Sequence, residues 1–244
     1  MSTFVIGDIH GGLRALIQVL EKAQIQTTDK LIFLGDYVDG WSESPQLINF
    51  LISLSETHNC IFVRGNHDQL FLDWLQSGDL NIDEGLWYKH GGKATVLAYD
   101  KVSESVKAKH VLFLESLQDY CLDEQNRLFI HAGFTNMSGV TYEYFPKMYY
   151  WDRTLWETAL ALDPKIEKSS PYYPKRFLNY KEIFIGHTPT TRINSFEPVN
   201  KNNIWNIDTG AAFEGKLTIM NIDTKIFWQS DPLPTLYPEE KGRN

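Results

Sequence analysis

Short apolar runs alternate with helical patterns through the first half of the chain. Three runs, each too short for a helix, predict buried strands at 4–6, 31–34 and 60–63. Between them, apolar residues recur at helical spacing over 13–23 and 45–54, and Pro45 suits the first turn of a helix. This order of strands and helices predicts an α/β fold whose mostly parallel sheet is covered by helices on both faces.

The second half of the chain is richer in strand patterns. Short apolar runs predict strands at 120–122, 128–130, 183–185, 204–207, 217–222 and 226–228. The stretch 87–117 predicts helix, and the segment 136–180, crowded with aromatic residues, predicts a helical insert. The proline-rich, charged segment 231–244 predicts a tail on the surface. Because no linker interrupts the pattern, we expect one domain over 1–244.

Composition narrows the class of protein. Hydrophobic residues make up 43% of the chain and charged residues 22%, which is typical of a globular protein. The net charge of -8 argues against a nucleic-acid-binding protein, and no apolar run approaches the ~18 residues of a membrane span. Cys60 and Cys121 lack zinc-type spacing; one disulfide is possible in principle, but two free thiols are the simpler interpretation. We therefore expect a cytoplasmic protein without nucleic-acid or membrane partners.

Six potential metal ligands follow apolar runs, each close to a glycine that allows the chain to turn sharply. They are Asp8, His10, Asp36, Asn66, His131 and His187. In parallel sheets the chemistry gathers where the strands end, so we expect these side chains to meet at one edge.

The donor atoms of this set indicate the kind of site. Two carboxylates, one amide and three imidazoles, without a thiolate, suit Mn²⁺, Fe or Zn²⁺ better than Mg²⁺ or Ca²⁺. Six side chains exceed what one ion usually takes from a protein. We therefore predict two divalent cations, with Mn²⁺ preferred, about 3.5–4 Å apart and sharing one carboxylate.

Five motifs contain these residues, and a sixth follows. They are Gly7-Asp-Ile-His-Gly11, Gly35-Asp-Tyr-Val-Asp-Gly40, Gly65-Asn-His-Asp68, His131-Ala-Gly133, Gly186-His-Thr188 and Ile207-Asp-Thr-Gly210. In this order they resemble the calcineurin-like metallophosphoesterases, in the branch of serine/threonine phosphoprotein phosphatases. The resemblance implies a layered sandwich of mixed sheets flanked by helices, and hydrolysis of phosphate monoesters by a metal-bridged hydroxide.

The resemblance also implies a role for each motif residue. It places Asp8, His10 and Asp36 on the first cation, and Asp36, Asn66, His131 and His187 on the second. His67 would protonate the leaving group while Asp39 orients its ring, as an imidazolium held by a carboxylate can do near neutral pH. Arg153 would bind the phosphate, because a guanidinium matches phosphate oxygens in pairs.

One position departs from the family pattern. In the phosphoprotein phosphatases an arginine that grips phosphate follows the aspartate at position 39, whereas this chain has Gly40. A phosphate contact is therefore missing. Lys89, His90 or the amides of 91–92, at a helix start, are candidates to replace it.

Three functions are compatible with the sequence. The first is a phosphatase that acts on a phosphoprotein or a small phosphoester. The second is hydrolysis of a dinucleoside polyphosphate such as diadenosine tetraphosphate, which the position-40 departure and the aromatic insert leave open. The third is a non-catalytic scaffold that keeps the fold, but the presence of all six ligands together with His67 and Asp39 favours an enzyme.

Overall fold

Two five-stranded sheets form the centre of the molecule, whose computed structural model describes residues 1–77 and 84–243. In spatial order, the first sheet contains β10 (Phe227–Gln229), β9 (Thr218–Asn221), β1 (Thr3–Ile6), β2 (Lys30–Phe33) and β3 (Asn59–Phe62). The second contains β4 (Tyr120–Leu122), β5 (Arg127–Ile130), β6 (Glu182–Ile185), β8 (Ile204–Asn206) and β7 (Val199–Lys201).

Each sheet is built around three parallel strands. β1, β2 and β3 run parallel, with Val5 opposite Ile32 and Ile32 opposite Ile61, and β9 and β10 add antiparallel strands. β5, β6 and β8 run parallel in the second sheet, between antiparallel β4 and β7. The predicted mixed sheets are confirmed, and strand β7 is an addition to the prediction.

Side chains along the strands alternate between the inner and outer faces of the sheets. Val5 and Ile32 of the first sheet form one buried cluster with Phe129 and Phe184 of the second, whose rings stack at 5.0 Å. Each of these fully buried side chains stabilises the fold by about 1.5–3 kcal/mol. The apolar layer therefore joins the sheets into the predicted layered sandwich.

Helices cover the outer face of the first sheet. They are α1 (Leu13–Lys22), α2 (Ser44–Ser55), α3 (Asn66–Ser77), α4 (Glu84–Trp87), α5 (Lys93–Tyr99) and α6 (Glu104–Glu115), and α9 (Leu233–Leu236) packs beside α1. The predicted helices 13–23 and 45–54 are present with shifted ends, whereas 87–117 divides into α5, α6 and a π-helical turn at Tyr88–Gly92. No helix in the described ranges is both long and apolar enough to cross a membrane.

The aromatic-rich insert covers the outer face of the second sheet. It contains α7 (Met148–Trp151), α8 (Thr154–Ala161) and 3-10 turns at Val140–Tyr142 and Lys175–Asn179. Tyr149, Trp156 and Phe177 pack in one cluster with Leu128 and Ile183 of the sheet. The insert therefore has the helical and aromatic character expected from its sequence.

Candidate active site

The strand ends bring the six predicted metal ligands together at one edge of the sandwich. Two groups stand out, in each of which one ligand atom per residue lies within 4.8 Å of the others. The groups are Asp8, His10 and Asp36, and Asp36, His131 and His187. Asn66 joins the second group, because its Oδ1 lies 3.2 Å from Nε2 of His131 and 2.9 Å from Nδ1 of His187. Asp36 alone belongs to both groups.

The imidazoles of His10 and His131 are oriented by backbone carbonyls. Nδ1 of His10 lies 2.8 Å from the carbonyl oxygen of Asp39, and Nδ1 of His131 lies 2.8 Å from that of Leu34. Since a carbonyl only accepts, both Nδ1 atoms donate, which leaves each Nε2 as the ring atom that can bind a cation. Both Nε2 atoms lie 3.4 Å from Oδ2 of Asp36. The backbone thus directs both Nε2 atoms towards the shared carboxylate.

The backbone at the site is strained. His10, Asp36, Asp39 and His187 adopt the left-handed region, with φ of 51°, 54°, 71° and 67°. Such conformations cost non-glycine residues of order 1–3 kcal/mol each and cluster at functional sites. These backbone conformations are unfavourable, but they turn the four side chains towards one point.

Two glycines allow the loops to approach closely. A Cβ atom at Gly186 would collide with Oδ1 of Asp8, and one at Gly65 would collide with Oδ1 of Asp36. The glycines that precede His187 and Asn66 are therefore required by packing against the ligands of neighbouring strands.

The buried carboxylates give the site an excess of negative charge. Burial and the neighbouring Asp208 raise the pKa of Asp8 well above its ordinary value. Burial alone would raise the pKa of Asp36, but the positive charges of His131 and His67 hold it well below the ordinary range. Burial opposes protonation of His131, yet Asp36 and Asp8 raise its pKa to about 10. The raised pKa values of Asp8 and His131 show that the site attracts positive charge.

These residues fit a pair of divalent cations. Oδ1 of Asp8 and Nε2 of His187 are buried and have no hydrogen-bond partner in the described part of the chain, which is uncommon for buried polar atoms. Carboxylate, amide and imidazole donors converge there, the mixture that Mn²⁺, Fe and Zn²⁺ accept. The expected binuclear centre therefore has suitable ligands.

His67 lies beside the two ligand groups without belonging to either. It is buried at the start of α3, and its Nδ1 lies 2.7 Å from Oδ2 of Asp39. Asp39 is itself held by Nε1 of Trp87 at 2.6 Å and by Oγ1 of Thr95 at 2.6 Å. The predicted pair is therefore in contact, and Trp87 and Thr95 are supporting residues that the sequence motifs did not reveal.

Asp68 ties the loops after β2 and β3 together. Its Oδ2 accepts hydrogen bonds from the amides of Asp36 and Gly65, both at 2.8 Å, and its Oδ1 accepts one from Tyr37 at 2.8 Å. Burial and the charge of Asp36 raise the pKa of Asp68 to about 7. The last residue of the Gly-Asn-His-Asp motif therefore positions the ligand loops.

A cavity of about 290 Å³ opens over the ligands. Its walls include the predicted Arg153 and two arginines that sequence reasoning missed, Arg192 and Arg243. The pKa of Arg153 is lowered by burial and then by the charges of Arg192 and Arg243, so the three guanidinium groups act on the same space. Lys89 is exposed and is not among the residues that line this cavity, whereas His90 is.

Asp208 is a further residue that the motifs did not assign. It is buried after β8, lines the cavity and accepts a hydrogen bond from the amide of Gly210 at 3.0 Å. Burial raises its pKa to about 6. Its position directly after the apolar run 204–207 is the same signal that located the other strand-end residues.

Comparison with known proteins places this site in a family. The model of the calcineurin-like phosphoesterases matches residues 1–208. The chain belongs to this family. As a calcineurin-like phosphoesterase with phosphohydrolase relatives, it is a metal-dependent phosphoric ester hydrolase, and the expectation of an enzyme is confirmed.

The sequence relatives of this phosphoesterase carry a more specific activity. It is 28% identical over 237 residues to the asymmetrical bis(5'-nucleosyl)-tetraphosphatase PrpE of Anoxybacillus flavithermus, over 88% of both chains. It is 29% identical over 236 residues to the same enzyme of Bacillus cereus, over 88% of this chain and 87% of the relative. The expected serine/threonine phosphatase branch is therefore not confirmed.

Solved structures support the fold of this phosphoesterase. A candidate diadenosine tetraphosphatase superimposes with a TM-score of 0.62 at 18% identity, covering 93% of this chain and 91% of the other. A protein serine/threonine phosphatase of Saccharomyces cerevisiae, with similarity to human phosphatase PP5, gives 0.61 at 16% identity, covering 95% and 80%. Both likenesses concern the fold alone.

Proposed function

We propose that this phosphoesterase hydrolyses dinucleoside polyphosphates asymmetrically, converting diadenosine tetraphosphate and water into ATP and AMP. The observation that carries the proposal is the presence of three arginines, Arg153, Arg192 and Arg243, in the one cavity over the ligand groups. A polyphosphate chain presents several adjacent anionic groups, and guanidinium groups bind phosphate oxygens in pairs. The named activity of the sequence relatives supports the same substrate class.

Aromatic walls of the same cavity suit a nucleobase. Trp151 and Phe213 line it, and the Trp151 ring is 42% exposed, with its centroid 6.3 Å from that of His187. An exposed indole beside a phosphate-binding site can stack on a base of any kind. The insert, which contributes Trp151, thereby gains a role in holding the nucleoside.

The chemistry divides between the cations and the protein. Two divalent cations, held by the six ligands, would supply Lewis acidity and lower the pKa of a water molecule. The water oxygen bonds to a phosphorus as the bond from that phosphorus to the leaving nucleotide oxygen breaks. His67, held through Nδ1 by Asp39, keeps Nε2 for the leaving oxygen and donates the proton there. The arginines hold the phosphate groups while charge develops on them.

A substrate panel tests the proposal. Diadenosine tetraphosphate, p-nitrophenyl phosphate and a phosphoserine peptide would be compared with Mn²⁺ and with EDTA, with nucleotide products separated by chromatography. We expect kcat/KM to be at least about tenfold higher for the dinucleotide, since one extra charged contact suffices for that ratio. ATP and AMP should appear in equal amounts. A preference for the peptide, or two ADP as products, would refute the proposal.

Replacing Trp151 by alanine should weaken dinucleotide binding selectively. Loss of one base–aromatic stack is worth about 1–3 kcal/mol, so KM for diadenosine tetraphosphate should rise about 5- to 150-fold. KM for inorganic pyrophosphate or p-nitrophenyl phosphate should change much less, because neither carries a nucleobase. Steady-state kinetics on the three substrates measures the difference.

The matched control is Tyr172→Ala, which removes an aromatic ring that is 81% exposed elsewhere in the insert. It should leave all three KM values unchanged. An equal rise in KM for every substrate in the Trp151 variant would show that the ring shapes the metal site instead of holding a base.

A further inference from the structure

The segment after α9 returns to the active site and is fastened there by contacts at Trp41. The rings of Tyr237 and Trp41 stack at 5.0 Å, and Glu240 accepts hydrogen bonds from the amide and the hydroxyl of Ser42 at 2.9 and 2.7 Å. The amide of Arg243 donates to the carbonyl of Ala212 at 2.8 Å. Gly242 lies so close to the indole that a Cβ atom there would approach it to 2.8 Å.

This path delivers the stem of Arg243 to the surface of Gly40. A Cβ atom at Gly40 would lie 3.4 Å from Cγ of Arg243, and one at Gly91 would lie 2.7 Å from the same atom. A Cβ atom at Gly91 would therefore displace the arginine stem, whereas one at Gly40 would touch it at an ordinary contact distance. Gly40 is the position where the phosphoprotein phosphatases have an arginine. In this chain the side chain of Arg243 lies beside that position.

The guanidinium group reaches the ligand groups themselves. Nη1 of Arg243 lies 3.4 Å from Nε2 of His10, and the group lies 5.3 Å from the ring centroid of Phe213. Its Nε is buried and has no hydrogen-bond partner in the described ranges. An arginine that only fastened the segment would be expected to use its donors on protein acceptors. Arg243 instead lines the cavity, and in the described ranges the acceptor within reach of its guanidinium group is Nε2 of His10, a predicted metal ligand.

We propose that Arg243 binds a phosphate group of the substrate and replaces, from a distant part of the chain, the arginine absent at position 40. Gly40 and Gly91 provide the space, and Trp41 provides the surface on which the segment is anchored. The identity of the phosphate as part of a dinucleoside polyphosphate rests on the proposed function, whereas binding of inorganic phosphate tests Arg243 without the dinucleotide.

The experiment compares Arg243→Gln and Arg243→Lys with the wild-type enzyme loaded with Mn²⁺. Inorganic phosphate binding would be measured by calorimetry, and KM and kcat with diadenosine tetraphosphate. We expect Arg243→Gln to weaken phosphate binding and raise KM about 10- to 100-fold, the loss expected for a charged hydrogen-bonded contact. Arg243→Lys should lie between the two, since it keeps the charge but loses the paired donors.

Lys241→Gln is the matched control, because Lys241 is exposed in the same segment and is not among the residues that line this cavity. Its phosphate affinity and melting temperature should equal those of the wild type. Lys89→Ala tests the other candidate for the missing phosphate contact in the same titration. Phosphate affinity of Arg243→Gln within about twofold of wild type, or a larger loss in Lys89→Ala, would overturn the inference. If the wild type ignores the dinucleotide, the proposed substrate fails while the phosphate titration still decides the role of Arg243.

Discussion

Asp36→Asn is expected to lower turnover by about 10³-fold or more, because two-cation catalysis supplies several kcal/mol and this residue serves both ligand groups. The amide keeps the shape of the side chain and one oxygen acceptor, but it removes the negative charge between His10 and His131. Both cations should bind more weakly. Substitution of a ligand that belongs to only one group should cause a smaller loss of bound metal than Asp36→Asn.

The measurement combines turnover with metal content and melting temperature. Wild-type protein should contain two Mn²⁺ per chain after dialysis and gain thermal stability on Mn²⁺ addition, since a ligand of the folded state stabilises it. Asp36→Asn should show neither property. Asp100→Asn makes the same chemical change at an exposed residue and should behave as wild type. Two bound ions and near-normal turnover in the Asp36 variant would contradict a shared ligand.

The sheets and the convergence of the six predicted ligands follow from the sequence because their signals are local. A short run such as 31–34 identifies a buried strand, and Asp36 follows it within two residues, so the strand end also fixes where the side chain lies. Parallel pairing then aligns the strand ends without further information. Helix α3 is an addition to the prediction. Its first turn consists of the polar residues Asn66, His67 and Asp68, which do not show the apolar spacing that identifies a helix.

The cavity walls could not be predicted in the same way. Arg243 reaches His10 across 233 positions of sequence, through packing of an intervening segment on Trp41. Trp87 and Thr95 approach Asp39 only through the packing of α4 and α5, of which α5 lies against α2. No pattern within a short window records such contacts. Lys89 lies two residues before Gly91 in the sequence, but its side chain is exposed and does not line the cavity.

The branch expected from the motifs is not confirmed, for a related reason. The motifs describe ligands, acid and fold, which phosphoesterases of different specificity share, so they predict metal-dependent hydrolysis well. Substrate choice depends on what surrounds the reacting phosphorus. Here Trp151 comes from the insert and Arg243 from the segment after α9, both outside the five motifs. If Arg243 binds phosphate as proposed, the departure at Gly40 is a local sign of that rearrangement in the sequence.

His67→Asn should lower turnover by a factor that depends on the leaving group. A general acid contributes about 10²–10⁴-fold when the departing oxygen is a strong base. Phenyl phosphate releases a phenolate whose pKa is about 10, like that of tyrosine, and should lose the most. p-Nitrophenyl phosphate and diadenosine tetraphosphate release weaker bases and should lose roughly tenfold less than phenyl phosphate, because proton donation matters less for them. Metal content should stay unchanged, since His67 belongs to neither ligand group.

The slope of this dependence, measured as log kcat/KM against leaving-group pKa, distinguishes proton donation from simple phosphate binding. Loss of a hydrogen bond to the phosphate would lower all three rates by one common factor, whereas loss of the acid makes the slope steeper. Asp39→Asn should steepen the slope in the same direction, because Asp39 holds the ring through Nδ1. The double variant should be little worse than His67→Asn alone, as residues that act as a unit are not additive. His58→Asn is the control, because His58 does not line the cavity, and it should leave the slope unchanged. A parallel downward shift of all three rates in the His67 variant would show that His67 binds the phosphate instead of donating a proton.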